Sequence, residues 1–189
     1  MNYYFIDYEN VKKTGLTGIE DLGVNDTVYV FYSKNVDTIT FDILEKINMS
    51  QASIYYIKVD VGSKNALDFQ LSSYMGYMIA KEPESKCYLV SKDNGYKALI
   101  QFWSQRDVNI TILSDLSGKT EDDEKSQLLD HVNAMFDDEV QAKKVTEIIL
   151  QYKTKLGINN ALVKKFPSTN NKVASEIYNK IKPLISNKK

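Results

Sequence analysis

An α/β fold with a central parallel sheet, followed by a small all-helical segment, is the architecture this 189-residue sequence predicts. Three observations lead there. Five short runs rich in Val, Ile, Tyr and Phe, residues that suit a pleated and covered surface, recur through the first 113 residues. Stretches with helical spacing of apolar residues lie between them, and alternation of this kind implies parallel strands with helices on both faces. After residue 138 the strand-like runs stop and only helical patterns remain.

The strand candidates are NYYFI (2–6), TVYVFY (27–32), SIYYIKV (53–59), KCYLVS (86–91) and VNITIL (108–113). Several are apolar almost without alternation, as strands covered on both faces are. Residues 37–48 place Ile39, Ile43, Leu44 and Ile47 at helical spacing. Residues 66–80 do so with Leu67, Leu71, Tyr74, Met75 and Met78, and residues 94–105 with Leu99, Phe102 and Trp103. KKTGLTGIEDLGVND, between the first two strands, carries three glycines, so any helix there is short or poorly formed. Residues 139–156 read as a helix with Val145, Ile148, Ile149, Tyr152 and Leu156 on its apolar side. Residues 173–182 read as another, with Val173, Ile177, Tyr178 and Ile181, which Pro183 limits. A shorter helix and a Ser-, Thr- and Asn-rich turn fall between them, giving a three-helix unit of winged-helix or helix-turn-helix proportions. The expected domains are therefore 1–120, an acidic linker or connecting helix at 121–138, and a basic helical domain at 139–189.

Composition narrows the function. One cysteine, Cys87, excludes an internal disulfide, and its apolar setting marks a buried thiol. No apolar stretch approaches the ~20 residues of a membrane span, and residue 2 already opens a strand, so a cytoplasmic protein is expected. The net charge of −1 conceals a division. Residues 1–139 hold 13 Lys and Arg against 23 Asp and Glu, a net of −10; residues 140–189 hold 11 against 2, a net of +9. Either the two groups of charges merely solvate their segments, or an acidic domain able to bind metal is joined to a segment suited to a polyanion.

Functional groups in parallel sheets gather beyond the carboxyl ends of the strands. Here those ends carry acids: Asp7, Glu9 and Asn10 after the first strand, Asp60 and Asp68 after the third, Asp93 after the fourth and Asp115 after the fifth. Asp93 could instead cap a helix, Asp68 could be a first-turn acid favoured by the helix dipole, and Asp60 and Asp115 suit turns. Asp7 is harder to assign to structure alone, since a central strand end is a costly place for an uncompensated charge. If Asp7, Asp68 and Asp93 converge, an oxygen-only donor set suits Mg²⁺ or Mn²⁺. The single histidine, His131, lies in an acidic helical stretch, and no GxSxG is present, so serine-hydrolase chemistry has no support.

FIDYEN, GSKNALDFQL and LVSKDNGY, in this order, resemble the D-x-x-N, K-x-x-D-like and S-x-D-x-D-F motifs of the NYN branch of the PIN-like nucleases. The resemblance covers roughly residues 2–115. It implies a three-layer αβα sandwich of strand order 3-2-1-4-5 and a metal-dependent ribonuclease. It also implies Asp7, Asp68 and Asp93 as metal ligands and Asn10 as the residue that positions Asp7 or the substrate. Glu9 and Asp115 are the alternative acids. The second aspartate of the last motif falls on Gly95, a departure that would weaken the ion site, shift its load, or mark a member that binds RNA or a protein partner without cutting. A second template, the haloacid-dehalogenase phosphatases, begins D-x-D-x-[TV]; DYENV matches it except at Glu9, and its later G-D-x-x-x-D is missing. Lys64, Lys92, Lys164, Lys165, Lys172 and Lys180 are the candidate phosphate contacts. Arginine, the usual base reader, is absent from the basic segment, so binding there should be sequence-tolerant and salt-sensitive. A homo-oligomer is compatible with the sequence; a membrane partner is not expected.

Overall fold

The structure, a computed structural model, describes residues 1–60, 65–186 and 188. The five expected strands are all present: β1 (Asn2–Asp7), β2 (Asp26–Ser33), β3 (Ser53–Val59), β4 (Lys86–Val90) and β5 (Ile110–Leu113). They form one sheet of order β3-β2-β1-β4-β5, parallel throughout. β1 is central, with Ile6 opposite Val30 on one side and Val90 on the other. The order reverses between β1 and β4, and a crevice opens at such a point beyond the strand ends.

Side-chain alternation divides the domain into two layers of core. Tyr3 and Phe5 of β1, with Tyr29, Phe31, Cys87 and Leu89, face α3 (Ala66–Lys81) and α4 (Tyr96–Ser104). Ile6, Val28, Val30 and Val90 point the other way, toward the one-turn α1 (Tyr8–Val11) and the turns after it. Ile43 and Ile47 of α2 (Phe41–Met49) pack onto that layer. Asp7 stands two residues beyond Phe5 and so shares the α3/α4 face.

One apolar pattern differs from its expected role. α2 buries none of its residues fully; Ile39 precedes the helix and Leu44 is 43% exposed, so this edge-strand helix is a partial cover. The stretch after α1 forms two 3₁₀ turns, Lys12–Leu16 and Ile19–Asp21, the short helical pieces that its three glycines predict. Gly18 between them has φ +90°, and a Cβ there would lie 2.6 Å from the Ser117 backbone nitrogen. A side chain would keep the two loops apart.

The chain divides into two compact units, Met1–Glu121 and Asp122–Lys189. The second is all helix among the described residues: α5 (Glu121–Asn133), α6 (Glu139–Gln151), α7 (Lys155–Lys165) and α8 (Lys172–Ile181). Its core holds Val132, Val145, Ile149, Ile158, Leu162, Ile177 and Ile181, so the end of the acidic run belongs to this core. The helix expected over 139–156 stops at Gln151. Thr154 Oγ1 accepts the Gly157 N–H at 3.0 Å and starts α7, which leaves Leu156 69% exposed. No helix among the described residues is long and apolar enough to cross a membrane.

The sheet is rich in covered tyrosines. Burial raises the Tyr3 and Tyr4 phenols to about 12; for Tyr3 the neighbouring Glu82, which accepts its hydroxyl at 2.5 Å, adds to the shift. A phenol whose pKa is raised on folding stabilises the fold below pH 10 and loses that contribution as pH rises through 12. Alkaline titration should therefore show a fraction of phenolate absorbance that appears only with loss of circular dichroism in this window. Independent ionisation of all tyrosines near pH 10, with the fold intact, would contradict it.

Candidate functional site

β1 ends in Asp7, only 3% exposed despite its charge. Two donors hold it: the Ser91 hydroxyl reaches one carboxylate oxygen at 2.9 Å, and the Asn10 backbone N–H reaches the other at 3.3 Å. Ser91 follows β4 directly, two residues past Leu89, and so projects to the same face as Asp7. Its oxygen also accepts the Asp93 N–H at 3.1 Å. The Asn10 side-chain oxygen accepts the Lys92 N–H at 3.3 Å, which ties the β1 loop to the β4 loop. Asn10 thus meets Asp7 through its main chain alone, a contact that does not depend on its side chain, while its side-chain amide links the two loops.

Asp93 is exposed at the start of the α4 turn, and its Oδ1 accepts the Gly95 N–H at 2.8 Å. A Cβ at Gly95 would sit 3.3 Å from that oxygen. The departure from the family motif is therefore also a tight turn in which a backbone N–H meets the carboxylate. Asp68, in the first turn of α3, accepts the Tyr96 hydroxyl at 2.9 Å. Asp68, Asp93, Gly95 and Tyr96 line one cleft of about 220 Å³, together with Asn65 and Phe69.

The electrostatics connect these groups. Burial drives the Asp7 carboxyl up to about 6; the bonds from Ser91 and Asn10 oppose that shift, and the charges of Asp68 and Asp93 add to it. The Tyr96 phenol is raised by burial first, then by Asp7 and Asp68. The sheet thus brings Asp7, Asp68 and Asp93 within electrostatic reach of one another. It does not close them into a cage: among the described residues, no three His, Cys, Asp or Glu side chains are gathered tightly enough to hold an ion between them. An oxygen-only set with repelling charges and few protein ligands fits a hard ion that keeps most of its water, as Mg²⁺ does.

The alternative acids lie elsewhere. Glu9 accepts from the Ser33 hydroxyl and from Asn35 Nδ2, at the end of β2. It turns away because residues adjacent to Asp7 in the chain enter a helical turn, so Glu9 projects on another side. Engaged there, it is also poorly placed for the acid–base role a phosphatase would need. Asp115 is buried and accepts the Ser117 N–H and hydroxyl at 2.9 and 2.6 Å, an Asx-type turn. Lys92 is exposed beside the cleft. Lys64 lies outside the described residues. In the second unit Lys164, Lys165 and Lys172 are exposed, while Lys180 donates to the Met135 carbonyl at 3.2 Å and lies over the Phe136 ring.

Sequence reasoning assigned no role to Ser91 or Tyr96, although both stand in the quoted LVSKDNGY stretch. The signal was available: a serine and a tyrosine that flank Asp93 are hydroxyl donors of the kind that carboxylates withdrawn from water require.

A family model described as PIN domain matches residues 1–113. No curated protein and no solved structure matches the chain.

Proposed function

The chain belongs to the PIN-domain family, whose members are typically metal-dependent nucleases, and from that premise we propose that it is an endoribonuclease of the NYN branch that hydrolyses RNA phosphodiesters at the crevice between β1 and β4. The observation that carries this reading is Asp7. A carboxylate is buried at the centre of the sheet, beside two further acids, with a pKa raised to about 6. No folding purpose is served by that cost, and a divalent cation removes it.

Asp7, Asp68 and Asp93 would hold Mg²⁺ or Mn²⁺, which when bound supplies an activated water and positive charge for the phosphodiester. The chain's own groups do the positioning. Ser91 and Asn10 fix the Asp7 carboxylate by two bonds, and Ser91 couples it to the Asp93 backbone. Tyr96 orients Asp68, which lines the cleft with Asp93, while Asp7 stays buried at the end of β1. The reading is tested by incubating single-stranded and structured RNAs with the protein and Mn²⁺, Mg²⁺ or EDTA. Metal-dependent internal cleavage is expected; no cleavage of any RNA together with no Mn²⁺ heat by calorimetry would overturn it.

The Gly95 departure and the absence of a closed cage among the described residues favour one other reading, a PIN-like protein that binds RNA or a partner without cutting. Mn²⁺ binding separates the two. A cytoplasmic setting is proposed for either.

The basic second unit is proposed to add a sequence-tolerant grip on the RNA backbone. Three exposed lysines, Lys164, Lys165 and Lys172, give an expected log–log salt slope of roughly −2 on single strands. Replacing Lys164 and Lys165 by Gln should flatten that slope by about 1.4 without altering base preference, measured by anisotropy from 50 to 300 mM salt, ~sixfold. An unchanged slope would assign these lysines to solvation alone.

A further inference from the structure

The acidic cleft has an aromatic wall that metal chemistry does not use. Phe69 follows Asp68 in the first turn of α3 and is 68% exposed, an unusual state for a phenylalanine. It lines the cleft of Asp68 and Asp93 and also an adjoining open trough formed with Phe31, Ile57, Gln70, Tyr74 and Tyr77. Tyr77, 59% exposed, lies eight residues further along α3, about 12 Å away on the same side of the helix. Ser73 stands exposed between them and lines the trough with them, and exposed Lys81 follows four residues beyond Tyr77, the stripe turning by about 40° at each step. Between Asp68 and Lys81 the helix carries no charged residue.

We propose that this stripe is a base-stacking track for single-stranded RNA that leaves the acidic cleft along α3, with Phe69 and Tyr77 taking nucleobases and Lys81 a phosphate. The inference rests on the ribonuclease reading and deepens it by naming the form of the substrate and the direction it takes. Three features select this occupant. Phe69 belongs to both the cleft and the trough, so the track is continuous with the site of chemistry. Aromatic faces separated by small neutral polar residues suit successive bases, which stack without regard to sequence. The helix carries no acid between Asp68 and its last residue, Lys81, and the Glu82 that caps it accepts the Tyr3 hydroxyl at 2.5 Å. A duplex, whose bases are already stacked on one another, gains nothing from such a track.

The test measures anisotropy of a labelled 12-nucleotide oligo(A) and of a duplex of equal length in EDTA, for the wild type and for Phe69→Ala, Tyr77→Ala, Phe69→Trp and Tyr77→Phe. Each alanine variant should bind the single strand about tenfold more weakly, with duplex binding unchanged and both aromatic variants near wild type. Equal losses for single strand and duplex, or none, would overturn the track. So would light scattering in which the alanine variants lose self-association while RNA affinity stays constant, because the stripe would then be a protein interface. Thermal melts of each variant identify any loss due to unfolding, and the aromatic replacements then decide. Metal-dependent cleavage with no effect of these variants on KM would leave the ribonuclease reading standing and remove the track. Single-strand binding that depends on Phe69 and Tyr77, without cleavage, would do the reverse.

Discussion

Replacing Asp7 by Asn should abolish metal-dependent RNA cleavage and at the same time stabilise the metal-free protein. The activity loss, at least about 100-fold, follows from removing the innermost carboxylate of the site. The stability gain follows from its pKa. Asp7 has a folded-state value near 6 against an ordinary 3.8, so its contribution is fully present below 3.8 and lost as pH rises through 6. At neutral pH the folded chain therefore carries roughly 2–3 kcal/mol of unrelieved charge, which a neutral amide of the same shape removes. Urea melts in EDTA should show Asp7→Asn more stable than the wild type at pH 7.5 and about equal to it near pH 4. Mn²⁺ should stabilise the wild type and leave the variant unchanged. Asp93→Asn gives the contrast: its carboxylate is exposed, so cleavage should fall with little change in stability. An Asp7→Asn protein that still cleaves RNA would move the site elsewhere. One that is less stable at neutral pH would show that Ser91 and Asn10 already offset the buried charge.

Gly18→Ala should cost at least about 3 kcal/mol, the largest single-residue stability effect expected outside the core. Two penalties combine: φ of +90°, and a Cβ placed 2.6 and 2.7 Å from the Ser117 backbone N and Cα. Gly118→Ala isolates the first of these, because Gly118 has φ +85° with nothing within 4 Å of the added carbon. It should cost about 1 kcal/mol. Equal losses in the two variants, measured by urea denaturation, would mean that the loops move apart freely. The asymmetry, if found, identifies the meeting of the first crossover with the loop after β5 as a fixed joint.

What could be read from the sequence follows from how each feature is encoded. The five strands and α3 are written as apolar runs and periodicity, local patterns that survive folding even where, as on the edge strand β3, only Val59 is fully buried. Tyr74, Met75 and Met78 were read correctly for this reason. α2 and the end of α6 were less legible. Ile39 and Leu44 have helical spacing but cover only the sheet edge, and Leu156 fits the α6 stripe until Thr154 caps a new helix. In the site, Asp7 was conspicuous because a charge at a central strand end has no local reason. The direction of Glu9, the bond from Tyr96 to Asp68 and the grip of Ser91 on Asp7 are contacts between distant segments, which no local spacing records. Gly95 was read as a missing ligand; its second property, room for Asp93 to curl onto the backbone, appears only once the turn is built.

The strand order has a consequence for how the chain comes into being. β1, β2 and β3 follow one another and form one flank of the sheet from neighbouring segments. β4, which closes the crevice, is separated from β1 by some eighty residues, and the Asp7–Ser91 bond spans 84. Long closures form late, after local ones have reduced the entropy they must overcome. During synthesis, then, the flank can assemble while Asp7 remains at an open sheet edge, wetted and unshifted. The cleft comes into existence only when β4 docks. Until that moment a half-made chain holds one acid of the site and none of its geometry.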